Sequence, residues 1–215
     1  VLANPPFNYH PWHQEELTTD VRWKYGLPPA NNANYAWIQH MIKSMGPGNS
    51  RMAVVMPQGI LFRGNEEGNI RKKLVESDKV EAVVTLGDKL FYGTGLSPCF
   101  LIIRNLKPAE HSARILMIDA TKILTQKRAQ NILSQEDVDR IFQLYTDYKD
   151  VEDYAKVVTL DDVKAKEYNL SPNRYVDYHK EEVKPYAEVL AEFKAAIQAV
   201  KDAEAEFIRI MQEES

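Results

Sequence analysis

Met52-Ala53-Val54-Val55-Met56 is an unbroken apolar run, the composition of a strand covered on both faces of a sheet. Pro57 follows it directly and opens a loop that runs to Asn65. Before the run, Asn32 stands where it can cap a helix from Ala33 to about Met45, with Trp37, Ile38, Met41, Ile42 and Met45 on one face and Gly46-Pro47-Gly48 as the stop. Before that helix, Val1-Leu2-Ala3 suits the end of another buried strand. Strand, helix, strand in this order builds a parallel sheet.

The unit then repeats, with a helix expected from about Glu66 to Glu76 and a strand over Val80-Glu81-Ala82-Val83-Val84-Thr85-Leu86. The next apolar run, Cys99 to Arg104, follows with no helix between, so these two strands should pair antiparallel across the loop that holds Phe91-Tyr92-Gly93-Thr94-Gly95. Those glycines precede a strand, whereas a dinucleotide-binding turn follows one, so they read as a turn and not a phosphate cradle. Arg114-Ile115-Leu116-Met117-Ile118 should add to the sheet or its edge. Ser134 with Asp137 begins a capped helix to about Tyr148. Val157-Val158 reads as a connection into a short helix at Leu160-Asp161-Asp162-Val163, and Tyr168 to Val176 as an extended segment docked by its tyrosines. The fold class is α/β, with three expected regions: 1–120 around the sheet, 121–180 helical and extended, and 181–215 a single helix.

Composition narrows the function classes. The 215 residues are 44% hydrophobic with net charge -4, so wholesale disorder is excluded and no global basicity draws the chain to phosphate. Any affinity for nucleic acid must come from a local patch or a partner. Cys99 is the single cysteine and lies in an apolar run, which suits buried packing and a reducing cytoplasm. No run approaches the ~20 apolar residues that span a membrane, and no basic-then-apolar leader opens the chain.

The chemistry gathers at Asn4-Pro5-Pro6-Phe7. Pro5 pins its own φ and Pro6 pushes Pro5 toward an extended conformation, so the carbonyls of Asn4 and Pro5 are aimed with little entropy left to lose. With the Asn4 side-chain oxygen they form a corner of neutral acceptors beside an aromatic face. Such a corner suits a planar amine, whose NH2 donates to the oxygens while its ring lies on Phe7. Asn-Pro-Pro is equally an ordinary turn. In the irregular stretch from 8 to 32, His10 and His13 invite a metal reading that no cysteine or third ligand in the sequence completes, and none is assigned. Arg22-Trp23-Lys24-Tyr25 interleaves cation and aromatic, fit either to touch phosphate and base or to pin the loop to its domain.

Asn4-Pro5-Pro6-Phe7 resembles the catalytic motif of amino-group DNA methyltransferases. Arg22-Trp23-Lys24-Tyr25-Gly26, Pro28-Pro29, Tyr35-Ala36-Trp37-Ile38-Gln39-His40, Pro57-Gln58-Gly59-Ile60-Leu61-Phe62-Arg63-Gly64 and Leu90-Phe91-Tyr92-Gly93-Thr94-Gly95 are similar to the modification (M) subunit of type I restriction-modification systems, N6-adenine methyltransferases. The likeness runs through about the whole chain. It implies the later half of a Rossmann-like, S-adenosylmethionine-dependent methyltransferase sheet, last strand antiparallel, followed by a helical C-terminal region. It implies that Asn4 and the Pro5 carbonyl bind the N6 amine of a flipped adenine and that Phe7 stacks on the base, Pro6 completing the catalytic turn. Ligands of open α/β sheets sit where parallel strands end, so Phe7, Arg63 and Tyr92 should converge on one rim, and Arg63 and Tyr92 join Arg22 and Trp23 as the expected DNA- or substrate-binding residues. Direct attack of the amine on the donor's methyl group needs no covalent enzyme intermediate.

In that family a Gly-rich turn and an acidic strand end grip the donor ahead of the Asn-Pro-Pro-Phe block. Almost no chain precedes Asn4, so the polypeptide reads as part of a longer one, and donor binding and methylation by it alone are not expected. From Val183 the apolar positions Tyr186, Leu190, Phe193, Ile197, Val200, Phe207 and Met211 follow a spacing of alternately three and four, with Glu204 the one breach, a heptad seam of about four repeats that wants another helix. It either folds back on its own domain or, as the resemblance implies, packs beside the specificity subunit in a complex that also holds the restriction subunit. Two other readings remain: a methyltransferase for a different planar amine, such as a glutamine side chain or an RNA base, and a subunit-assembly module whose activity is the seam helix.

Overall fold

Strand and helix alternate as the apolar pattern predicts. The elements are β1 (Leu2–Ala3), α1 (Asn34–Ser44), β2 (Arg51–Pro57), α2 (Asn65–Glu76), β3 (Val80–Leu86), β4 (Pro98–Arg104), β5 (Arg114–Ala120), α3 (Gln135–Asp147), β6 (Ala155–Thr159), α4 (Leu160–Ala165) and α5 (Tyr186–Glu213). The structure, a computed structural model, describes residues 1–91, 95–128, 130–179 and 185–213. Val1–Tyr178 form one compact unit and His179–Ser215 a second.

One six-stranded sheet runs in the order β1-β2-β4-β3-β5-β6. β1 pairs parallel with β2 and β3 parallel with β5, while β4 runs antiparallel between β2 and β3. The helical crossover from β2 to β3 leaves one strand position vacant between them. β4 returns from β3 without a crossover and fills it, which forces its reversed direction. β1, β2, β3 and β5 therefore end at the same rim.

The two faces are covered unequally. On the first, Tyr35, Ile38 and Met41 of α1 and Ile70, Leu74 and Val75 of α2 pack on Met52, Val54, Met56, Leu101, Ile103, Ile115 and Met117. Each fully buried side chain of this set contributes about 1.5–3 kcal/mol relative to exposure. On the second, Leu144, Ile141 and Tyr145 of α3 cover Ala82, Val84, Leu116 and Ile118. All seven residues of β3 are buried as a result. α3 begins on a capping box, Ser134 with Asp137, and α4 on another, Thr159 with Asp162, each closing two free backbone N–H groups.

Four expectations change. Val1 and Leu2 do not sit in a buried strand: β1 is an edge strand, and Leu2 is 85% exposed. β2 is buried on the first face only, with Ala53 and Val55 half-covered, because α3 stands over β3 and β5. Val157-Val158 belong to β6, which pairs antiparallel with β5, so β5 is an interior strand. Tyr168 to Val176 is a chain of turns with a 3-10 helix at Pro172–Arg174, held by Tyr168 Oη on Glu76 (2.6 Å) and by Tyr175 Oη on the Asn169 carbonyl. Left-handed Glu167 and Tyr168 turn this segment back on itself.

The second unit contains α5, a 28-residue helix about 42 Å long. Its seam positions Tyr186, Phe193, Ile197, Val200, Phe207 and Met211 are exposed. Val183, the first expected seam residue, lies outside the described residues. Among the described residues, no helix is long and apolar enough to cross a membrane.

Candidate functional site

Ligands of open α/β sheets sit where parallel strands end. Here that rim carries the turn after β1, the 3-10 helix Gln58–Leu61 after β2 and Gly87 after β3. Gln58 Nε2 donates to the carbonyls of Leu86 (3.2 Å) and Pro98 (3.4 Å), tying the strand ends together. Gly87 is required by packing: a Cβ there would lie 2.8 Å from the Thr121 carbonyl oxygen and 2.2 Å from Leu124 Cδ2.

Asn4 is exposed, and among the described residues nothing hydrogen-bonds its side chain. Pro5 and Phe7 are half-buried and Pro6 is exposed. The Phe7 ring meets Phe91 edge to face, centroids 5.9 Å apart at 71°. The two-proline corner thus presents unspent acceptors next to an aromatic pair. Tyr92, expected at this rim, lies outside the described residues; its neighbour Phe91 is the aromatic that reaches Phe7.

Asn8, directly after Phe7, adopts left-handed φ of 52°. Its N–H donates to Asn34 Oδ1 (2.9 Å), while its own Oδ1 accepts from Asn34 Nδ2 (2.9 Å) and Arg63 Nη1 (3.0 Å). Arg63 is therefore tied to the turn that carries Phe7, and Gly59 makes room for it: a Cβ at 59 would lie 2.7–2.9 Å from the guanidinium atoms.

Arg63 Nη1 also lies 3.9 Å from Glu67, whose two carboxylate oxygens are buried without a hydrogen-bond partner. Burial pushes the Glu67 carboxyl above its usual value, more than Arg63 and Arg71 pull it down. With the folded-state value raised, the stability Glu67 contributes is full below the ordinary glutamate range and is lost as pH rises through the shifted value. Glu67→Gln removes that loss. The melting temperature of the variant minus that of the wild type should grow more positive as pH rises from the ordinary glutamate range; a constant or shrinking difference contradicts it.

Arg22 and Trp23 stand in a different place, a cavity of about 280 Å³ also lined by Tyr9, Trp12, Trp37 and His40. Asp20 accepts from Arg22 Nε (2.8 Å) and Nη2 (2.6 Å), and those bonds hold the Asp20 carboxyl down to about 2. The Arg22 charge is thus already matched, and the cation lies 5.1 Å from the centre of the Trp23 ring. Trp23 is pinned by its N–H on the Leu17 carbonyl (2.6 Å) and by the edge of Trp12, 5.7 Å between centroids. His13 does find neighbours, Glu15 and Glu16, each 3.7 Å away, but all three are exposed and such surface clusters are common without an ion.

Asn8, Asn34 and Phe91 are the rim residues that reading the chain missed. Phe91 had a signal, an aromatic in the loop at the rim. The Asn8–Asn34 pair had none, since the partners are separated by 26 positions and Asn34 reads as a mediocre first residue of a helix.

A sheet with one antiparallel strand let in between parallel ones, and an Asn-Pro-Pro-Phe turn on its carboxyl rim, defines a class I methyltransferase fold. More narrowly, the chain belongs to the N-6 DNA methylase family, whose model matches residues 1–184. It is 34% identical over 218 residues to the type I restriction enzyme HindI methylase subunit of Haemophilus influenzae, covering 96% of this chain and 48% of that protein. It is 37% identical over 191 residues to the MjaIX methylase subunit of Methanocaldococcus jannaschii, covering 82% and 34%. The crystal structure of a type I restriction-modification methyltransferase subunit from Streptococcus thermophilus superimposes with a TM-score of 0.76 at 30% identity, over 82% of this chain and 38% of that one. The chain spans about half the length, or less, of these relatives.

Proposed function

We propose that this chain is the acceptor side of the modification subunit of a type I restriction-modification system, a cytoplasmic enzyme that moves the methyl group of S-adenosylmethionine to the N6 amine of an adenine turned out of DNA. The observation that carries this reading is the exposed, unpartnered Asn4 side chain, held in a two-proline corner beside Phe7. The adenine amine donates to Asn4 Oδ1 and to the Pro5 carbonyl, and Phe7 covers the ring. As the nitrogen gains positive character in the transition state, these fixed acceptors favour it over the ground state. The amine would attack the methyl carbon directly as its bond to sulfur breaks, S-adenosylhomocysteine would leave and the surplus proton would pass to solvent, so no covalent adduct with the protein is needed.

Among the described residues, the glycines and the strand-end carboxylate that could serve the donor are already engaged. Gly59 lies beneath Arg63, Gly87 abuts the Thr121 carbonyl, and the carboxylate of Asp119 at the end of β5 is taken up by Thr121 Oγ1 (2.6 Å) and Tyr178 Oη. We assign the grip on S-adenosylmethionine to the rest of the longer protein. Arg22 and Trp23 fit a neighbouring base better than a phosphate, because the cavity walls are aromatic and Asp20 already matches the charge.

The exposed seam of α5 supports docking on a helix of the specificity subunit, in a complex that also includes the restriction subunit. Deleting residues 181–215 from the full-length protein should abolish co-purification of the specificity subunit; undiminished recovery would refute the docking. For the reaction, mass spectrometry of DNA from cells expressing the full-length modification and specificity subunits should show N6-methyladenine. Methylglutamine or a methylated RNA base in its place would favour a different amine as the acceptor.

A further inference from the structure

The strongest unused contact at the rim is the one that holds the backbone just past Phe7. Asn34 is fully buried at the start of α1 and spends both ends of its amide on one residue, accepting from the Asn8 N–H and donating to Asn8 Oδ1. Arg63, from the loop after β2, donates to the same oxygen. Beside this pair the Ala33 N–H donates to the Tyr9 carbonyl, 3.0 Å. Two separate elements, α1 and the loop after β2, thus meet on one left-handed residue, a conformation that asparagine tolerates.

The prolines stiffen the turn from within at positions 5 and 6, and they leave open how Phe7 is oriented. That is set by the residue after it. We infer that Asn34 and Arg63 are positioning residues that act through Asn8 to fix the plane of Phe7 against the acceptor corner, so that the incoming amine meets its oxygens and its stacking ring together. The inference rests on the function proposed above. It gives Arg63 a role within the protein in place of the DNA or substrate contact expected of it.

The test uses the full-length modification subunit assembled with its specificity subunit, in single-turnover methylation of a duplex carrying the target sequence. Asn34→Ala and Asn8→Gly, the latter keeping the left-handed backbone unstrained, should each slow transfer by about 10–100-fold while DNA affinity changes less than about twofold. The double variant should be no slower than the slower single, since both break one unit. Asn8→Asp keeps acceptors for Asn34 and Arg63 and should stay within about threefold of wild type. Gly59→Ala pushes the guanidinium off Asn8 without altering either partner, so its rate should fall between these limits; it also serves if buried Asn34→Ala does not fold. Wild-type rates in Asn8→Gly or Gly59→Ala, or losses that multiply in the double variant, overturn the inference. Amide hydrogen exchange over residues 5–10 provides a readout independent of turnover and should accelerate in Asn8→Gly and Gly59→Ala. If the wild-type complex transfers no methyl group, the proposed function fails, and the clamp is then decided by that exchange alone.

Discussion

Asn4→Ala in the full-length subunit should lower methyl transfer to adenine by about 10²–10³-fold, the loss expected when one fixed polar group that stabilises transition-state charge is removed. The direction follows from what Asn4 does not do in the fold. Its side chain is exposed and has no partner among the described residues, so its removal leaves no buried group unsatisfied. The melting temperature should therefore hold while the rate collapses. On the proposed mechanism DNA affinity should change little, because the amide would meet only the one base turned out of the helix. Single-turnover methylation, DNA binding and thermal melting of the same preparation check this. A variant that turns over at the wild-type rate removes Asn4 from the mechanism, and with it the argument from the acceptor corner.

Glu81→Ala should destabilise the chain by about 3–5 kcal/mol, the cost of stripping one partner from a buried ion pair. Glu81 is 2% exposed inside β3, and its carboxylate receives Arg104 Nη1 at 2.8 Å, Tyr145 Oη at 3.0 Å and Arg51 Nε at 3.3 Å. Without it, Arg104 keeps a largely buried charge, with its Nε already lacking a partner. The Tyr145 hydroxyl, now pushed up to about 12 by burial first and by Glu81 next, would relax toward its ordinary value. Urea denaturation followed by tryptophan fluorescence reads the stability, urea being preferred because it does not screen charge. A loss below about 1 kcal/mol would mean that the cluster behaves as an exposed one. Arg51→Ala, on the solvent side, should cost much less than Glu81→Ala.

These two residues show opposite kinds of legibility. Asn4 announced itself, since two prolines and an aromatic around an amide have a physical consequence at any place in a fold. Glu81 sat in an apolar run that was correctly assigned to a strand, yet nothing local says that two arginines, one 30 positions upstream and one 23 downstream, would converge on it. The same holds for β6. Val157 and Val158 are too short an apolar run to declare a strand, and only the free edge of β5 makes them one.

Read alone, the amino-acid order determined the alternation of strand and helix, the reversal of β4, the Ser134–Asp137 cap of α3 and the stiff two-proline turn. Each of these depends on neighbours a few residues apart or on the absence of a helix between two runs. Tertiary structure alone decided that β1 lies at the edge of this chain's sheet, that Arg22 is matched by Asp20 in a cavity of its own, and that Asn8 is held by Asn34. Those outcomes turn on which surfaces meet across tens of residues, and a side chain's partners, unlike its periodicity, exist only once the layers have packed.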